Sequence, residues 1–150
     1  MTPSLYNPTD TTEIIARFEK LTPLSTPLWG KMNIAQMFAH CNVGVQTAMG
    51  KHNVKMAMIG KLIGRFFKKL AYNDQPFKKN SPTDRTYIFP ANLDAEVEKI
   101  KVISSIKQFS EGGPTSCTTH PHPFFGKLTA EQWGKLQWKH LDHHLRQFGV

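Results

Sequence analysis

The sequence predicts an all-α protein, and within that class a four-helix bundle with long connecting loops. Two observations favour helices: apolar residues recur every three or four positions in several segments, and these segments begin at residues that cap helices well. A third observation is that the intervening segments are broken by proline and glycine. With 150 residues and 39% hydrophobic content, the chain can build one core. We therefore expect a single domain over residues 1–150.

Two helices are predicted in the N-terminal third. Asp10 and the acidic turn after it resemble a helix start, and the apolar spacing that follows predicts a helix over about 11–21. Asn33 is a good N-cap for a second helix over about 33–50, which is apolar over much of its circumference and is expected to be central. Gly44 on this helix leaves room for a neighbouring helix or a ligand.

Three further helices are predicted in the rest of the chain. Residues 56–72 repeat apolar side chains at helical spacing, with Lys and Arg filling most of the other face. A helix over about 93–110 is expected to begin at Asn92. The last helix, over about 130–148, follows the capping box of Thr129 and Gln132. Residues 73–92 and 111–123 are predicted to be loops.

The formal net charge of +8 is concentrated in residues 51–85, where nine Lys or Arg oppose Asp74 and Asp84. Two interpretations stay open: a solvated helix face and loop, or a patch that binds nucleic acid or an anionic membrane. No segment has the roughly 18 uncharged apolar residues that a membrane span needs. The N-terminus lacks the pattern of a signal peptide, so we expect a cytoplasmic location with Cys41 and Cys117 reduced.

Five of the seven histidines lie in the last third of the chain. His140 and His144 are four residues apart on the predicted last helix, so their rings leave one face with the Cβ atoms roughly 6 Å apart. Two imidazoles placed in this way can bind one cation. His143 is offset by about 80° from the midline of the pair and is a second choice. The alternative is a histidine-rich basic helix, because protonated histidine is favoured near a helix C-terminus.

A third ligand must come from elsewhere, because catalytic metal sites usually take three protein ligands and keep a position open. His40 on the second helix is the best candidate, although a single histidine on an apolar helix is also typical of a hydrogen-bonded core residue. His120 and His122 each precede a proline in the loop. They either line the mouth of the site or are surface and structural residues.

Two parts of the sequence carry a resemblance to a known family. They are the segment from Trp29 to His40 and a C-terminal run that comprises 120–129, 133–134 and 139–149. They resemble the DinB/YfiT-like metal-dependent superfamily, and most closely a subgroup with an HPFFG segment followed by a KHLDHHLRQF-like helix. The resemblance implies a four-helix bundle that binds a divalent metal through one histidine on the second helix and a pair on the last. Those positions fall here on His40, His140 and His144.

The resemblance also implies the reactions of the wider superfamily: transfer with low-molecular-weight thiols, isomerisation and hydrolysis. The first hypothesis is therefore an enzyme that acts on a small electrophilic substrate with a divalent metal. Zn²⁺ or Ni²⁺ is expected first, with Fe, Mn or Co as alternatives. The metal would lower the pKa of a bound water or thiol. Asp142 and His143 are candidate catalytic groups, for proton transfer or for orienting the ligands, and Gln36 is a further candidate for orientation.

The rival hypothesis is a non-enzymatic binding module, in which a structural metal accompanies a basic patch over residues 51–85 that docks nucleic acid or an anionic membrane. The sequence contains no motif that reads nucleic acid, which counts against that partner. It also contains no phosphate-binding loop and no serine-hydrolase motif. Homodimer formation stays open.

Overall fold

The structure, a computed structural model, describes residues 2–52 and 68–150. These residues form four α-helices, which we label α1 (Pro8–Glu19), α2 (Ile34–Ala48), α3 (Ala95–Gly112) and α4 (Ala130–Gln147). Three 3₁₀ turns cover Lys68–Ala71, Arg85–Tyr87 and Pro114–Ser116, and the described residues contain no β-strand. The all-helical prediction is therefore confirmed.

The helix predicted over 56–72 lies mostly outside the described residues, and its last part forms the 3₁₀ turn Lys68–Ala71. Residues 73–92 are a loop, as predicted, apart from the short turn Arg85–Tyr87. Within the two described ranges, no helix has the length and apolar character needed to cross a membrane.

The predicted start of the first helix is wrong by three residues. The side chain of Asn7 accepts the backbone N–H groups of Thr9 and Asp10, and Pro8 occupies the first helical position. Proline fits there because the first turn has no intrahelical partner for its missing N–H. The carboxylate of Asp10 instead accepts the N–H of Ser4. Asp10 therefore fastens the preceding segment to α1 and does not cap the helix.

The predicted cap of the helix after the long loop is also wrong, by two residues. Asp94 caps α3, and its carboxylate accepts the N–H of Val97 at 3.0 Å. Asn92 and Asp94 are both good capping residues, so propensity alone does not choose between them. The prediction is correct for the other two caps. Asn33 and Thr129 each form a complete capping box, with Gln36 and Gln132 respectively.

The core lies between the four helices, because α1 and α2 each pack against both α3 and α4. Burying one large apolar side chain contributes roughly 1.5–3 kcal/mol to the stability of the fold. The packing thereby holds α2 against α4 and sets the distance between the side chains that face each other across them. The largest fully buried side chains include Leu5, Ile14, Phe18, Met37, Phe38, Ile106, Phe109, Trp133, Leu141 and Leu145.

The loop before α3 is fastened to α4 by Lys139. The ammonium donates to the backbone carbonyls of Leu70 and Asn73, at 2.5 and 3.2 Å, and to Oδ1 of Asn73 at 2.7 Å. Burial lowers the pKa of Lys139 to about 8. Because the ammonium makes three hydrogen bonds to the loop, all three of its donors are used to hold it.

The far end of this loop is fastened to α2. Gln36 Nε2 donates to the carbonyl of Phe89 at 2.8 Å, and Asn33 Nδ2 donates to the carbonyl of Ala91 at 2.9 Å. The two residues that form the capping box of α2 thus also fix the loop beside it. The backbone of Tyr87 is held next to the buried face of α2 as a result.

Candidate metal centre

Three histidines from two helices meet in the interior of the bundle. His40 lies on α2, and His140 and His144 lie one turn apart on α4, with ring centroids 4.7–4.9 Å from each other. One ring nitrogen from each lies within 4.8 Å of the others. Nε2 of His40 is 2.9 Å from Nε2 of His140. The structure therefore brings the three predicted ligands together.

The outer nitrogens of two of these rings face oxygen acceptors. His40 Nδ1 is 3.1 Å from the carbonyl oxygen of Tyr87, and His144 Nδ1 is 2.8 Å from Oε1 of Gln147. Neither oxygen carries a proton, so each Nδ1 is the donor in its hydrogen bond. A neutral imidazole with the proton on Nδ1 has its lone pair on Nε2. The surroundings of the cluster thus select the tautomer that can bind a metal through Nε2.

Burial keeps the three imidazoles in the neutral form that binds metals. His40 and His144 are 6% and 7% exposed, and His140 keeps more accessible surface. Burial lowers the pKa of His40, and it holds the pKa of His140 and of His144 well below the ordinary value. Repulsion from neighbouring histidines lowers all three further. The cluster is therefore neutral near pH 7, the form in which histidine can bind a cation without first releasing a proton.

The geometry and chemistry of the cluster fit a small divalent cation. A tetrahedral ion with metal–nitrogen bonds of 2.0–2.1 Å places its ligand nitrogens about 3.3 Å apart. In the cluster the His40 and His140 nitrogens are 2.9 Å apart, and all three ligand nitrogens lie within 4.8 Å of one another. Of the described residues, the cluster holds three histidines and no carboxylate or thiolate. Such a set suits Zn²⁺ or Ni²⁺ better than Mg²⁺ or Ca²⁺, which prefer oxygen ligands. Three ligands also leave coordination positions open.

Gly44 makes room for His140, as the sequence predicted for a neighbouring group. A Cβ atom on Gly44 would lie 2.9 Å from Cε1 and 3.0 Å from Nδ1 of the His140 ring. Distances under 3.0 Å require the ring to shift, and the ring is held between two helices. The absence of a side chain at Gly44 therefore sets how closely α2 approaches α4 at the cluster.

We expect the Gly44→Ala substitution to destabilise the protein by about 1–3 kcal/mol, because the added methyl group overpacks against His140. Alanine in an unobstructed helix would instead stabilise by up to about 1 kcal/mol relative to glycine. Urea unfolding measures the effect. The matched control is the same substitution in a His140→Ala background, where the ring is gone and the loss should vanish. A loss of equal size in both backgrounds would show that Gly44 does not act through His140.

Asp142 is not brought to the cluster. Its carboxylate pairs with Arg17 at 2.8 Å and with Arg146 at 2.9 Å, and Arg17 also donates to the backbone carbonyl of Val150. Asp142 borders a cavity of about 570 Å³ on the outer side of α4, whose lining includes none of the three histidines. The contacts of Asp142 therefore join α1, α4 and the last residue of the chain.

His143 lies beside the cluster. Its ring centroid is 5.1 Å from that of His144, and the rings of Trp29 and Phe77 lie on other sides at 5.9 and 6.0 Å. Burial lowers the pKa of His143. Gln36, the other candidate for orientation, contacts the loop that carries Tyr87 and reaches His40 through that loop. Of these candidates, His143 has the direct contact with a cluster histidine.

His120 and His122 differ sharply in their surroundings. His120 is exposed, whereas the Nδ1 atom of His122 accepts the backbone N–H groups of Phe124 and Phe125 at 3.0 and 3.1 Å. Burial against Trp133 lowers the pKa of His122 to about 4. His122 is thus a neutral imidazole that closes the HPFFG turn.

The described part of the basic region makes ordinary surface contacts. Lys51 donates to Gln108 at 2.7 Å, and the ammonium of Lys79 lies 4.3 Å above the ring of Trp29. Lys55, Lys61 and Arg65 lie outside the described residues. The positions that the structure does describe favour neither of the two interpretations of the charge.

Two glutamines beside the cluster are not among the residues predicted from the sequence. Gln147 accepts from His144, and Gln137 is a buried neighbour of His140. Both are spaced by three residues from a candidate ligand, so the same-face rule that paired His140 with His144 would have found them. The carbonyl of Tyr87 belongs to a loop without periodicity, and no sequence pattern marks it.

Comparisons with known proteins give one assignment. No curated protein and no solved structure was found to match the chain. A model of the DUF1569 family, described as proteins of unknown function, matches residues 6–149, which is nearly the whole chain and includes all three histidines. The protein therefore belongs to the DUF1569 family.

Proposed function

We propose that this protein is a divalent-metal-dependent enzyme with a DinB-like four-helix bundle, and that His40, His140 and His144 are the metal ligands. One observation carries the proposal: three histidines from two helices, two of them buried and one partly buried, bring ring nitrogens within 4.8 Å of one another. Neutral histidines packed this closely leave ring nitrogens without hydrogen-bond donors. Two nitrogens whose lone pairs face each other repel unless a cation or a proton lies between them.

The proposed reaction is transfer to, or hydrolysis of, a small electrophilic substrate. When bound, the cation would supply Lewis acidity that activates a water or a low-molecular-weight thiol. The three histidines hold the cation without adding negative charge, so its Lewis acidity stays high. His140 has more accessible surface than its two partners, which favours approach of a small molecule from its side.

We assign proton transfer to His143 in preference to Asp142. The His143 ring is half-buried beside His144, and its lowered pKa keeps it neutral and able to accept a proton near pH 7. The carboxylate of Asp142 is held by two guanidinium groups on another side of α4. In this proposal Asp142 stabilises the helix arrangement and His143 takes part in the chemistry.

The test is to strip the protein with a chelator, restore Zn²⁺ or Ni²⁺ and measure both thermal stability and turnover. At about a hundred times its dissociation constant, the cation should add roughly 2.7 kcal/mol of stability. The loaded protein should accelerate thiol addition to, or hydrolysis of, a panel of small electrophiles, and His144→Ala should abolish that activity. His120→Ala is the control, because its side chain is exposed. Stabilisation without any turnover would favour a structural metal.

A further inference from the structure

The buried face of α4 carries four polar side chains in one stripe. Gln137, His140, His144 and Gln147 follow at spacings of three, four and three residues, so all four lie on one side of the helix. Gln137, His144 and Gln147 are 3%, 7% and 4% exposed. Buried polar groups are costly unless they are hydrogen-bonded, so each amide in the stripe needs a partner.

Gln147 is hydrogen-bonded through both ends of its side-chain amide. Its Oε1 accepts from Nδ1 of His144 at 2.8 Å, and its Nε2 donates to the carbonyl of Trp29 at 2.7 Å. Its own backbone carbonyl accepts the N–H of Leu28, also at 2.7 Å. Gly30 approaches so closely that a Cβ there would lie 2.5 Å from the Nε2 atom. The connector before α2 therefore locks the Gln147 amide in the orientation that His144 requires.

Gln137 lacks such a partner. Its Oε1 atom is buried and accepts no hydrogen bond from any residue that the structure describes. The atom lies 3.7 Å from the point where a Cβ on Gly44 would be, and Nδ1 of His140 lies 3.0 Å from the same point. An acceptor without a donor and the outer nitrogen of a cluster histidine thus both lie within 3.7 Å of the same point beside α2.

We propose that Gln137 and Gln147 are positioning residues that orient His140 and His144 for metal binding. The inference rests on the proposed metal centre. When a cation takes Nε2 of His140, the proton of that ring must be on Nδ1, and Oε1 of Gln137 is the acceptor that receives it. Each of the three proposed ligands then donates its Nδ1–H to an oxygen, since Tyr87 and Gln147 already provide oxygens for His40 and His144.

The physical reason is the effect of an acceptor behind the ligand. An oxygen that accepts the Nδ1–H bond fixes the tautomer and the ring orientation, and it raises the basicity of the nitrogen that binds the metal. Removal of such a group typically weakens metal affinity 10–100-fold. Neither glutamine touches the cation in this arrangement, so both act through their histidines.

The test compares the Zn²⁺ dissociation constants of five variants with that of the parent protein. Gln137→Leu and Gln147→Leu should each weaken binding about 10–100-fold, whereas Gln137→Glu, which keeps an acceptor, should bind within a few-fold of the parent. Gln108→Leu is the control, since it removes an exposed amide on α3. If Gln147→Leu fails to fold, Gln147→Glu takes its place in the comparison, because glutamate keeps an acceptor for His144.

A second readout separates orientation from general loss of structure. Nitrogen-15 NMR of the Zn²⁺-loaded protein should show three histidines that are metallated on Nε2 and protonated on Nδ1. Gln137→Leu should move the Nδ1–H signal of His140 and leave that of His144 in place. Equal Zn²⁺ affinities for Gln137→Leu and Gln108→Leu, with an unchanged His140 signal, would overturn the role of Gln137. A parent protein that binds no Zn²⁺ would instead refute the metal centre itself.

Discussion

Replacement of His140 by alanine is expected to reduce bound divalent metal from about one ion per chain to nearly none after dialysis. His140 contacts both other rings, and its Nε2 atom is 2.9 Å from that of His40. Its loss would leave two of the three proposed ligands, one fewer than catalytic metal sites usually use. Elemental analysis of protein purified without a histidine tag measures the result, and His40→Ala and His144→Ala should behave in the same way.

The neighbouring histidines supply the controls for this experiment. His120→Ala removes an exposed imidazole, and His143→Ala removes the one next to a proposed ligand on the same helix. Both variants should keep the metal. If His40→Ala retains full occupancy while His143→Ala or His122→Ala loses it, the assigned ligands are the wrong ones. His140→Phe retains the ring volume, so it separates loss of a ligand from creation of a cavity.

The sequence predicts those features that depend on neighbours along the chain. The N-cap at Asn33 and the capping box at Thr129 need residues only three positions apart, and both are present. The pairing of His140 with His144 follows from helix geometry once the helix is known. Asn7 and Asp10 are two equally good capping residues within a few positions. Local propensity does not choose between such residues, because contacts with other segments determine which one caps the helix. The carboxylate of Asp10 accepts the N–H of Ser4 and does not cap the helix.

Local sequence patterns do not predict which face of α2 packs against α4. Spacing leaves His40 as either a ligand or a core residue, because the rotation of α2 relative to α4 depends on how the whole core packs. The resemblance to a metal-binding superfamily supplied the pairing, and the close approach at Gly44 shows how it is achieved. The carbonyl of Tyr87 reaches His40 from a loop, and only the anchoring of that loop by Gln36 places it there.

Acidification should destabilise the metal-free protein through its buried histidines, and His122 provides the clearest case. Its pKa is about 4 in the folded state and ordinarily 6.5, so the unfolded chain binds more protons between these values. Stability contributed by neutral His122 is complete above pH 6.5 and is lost as the pH falls towards 4. The loss from His122 alone is about 2 kcal/mol at pH 5. The lowered pKa values of the three cluster histidines act in the same direction.

Urea unfolding of chelator-treated protein at pH 7.5 and pH 5 measures this loss, and His122→Asn isolates the share of His122. The asparagine oxygen can accept the N–H groups of Phe124 and Phe125 in place of Nδ1, and it does not titrate. The variant should fold at pH 7.5 and lose about 2 kcal/mol less than the parent on acidification. His120→Asn, an exposed change two residues away, is the control. If His122→Asn and the parent lose equal stability, the imidazole of His122 is protonated as easily in the fold as outside it. The hydrogen bonds from Phe124 and Phe125 would then not hold it in the neutral form.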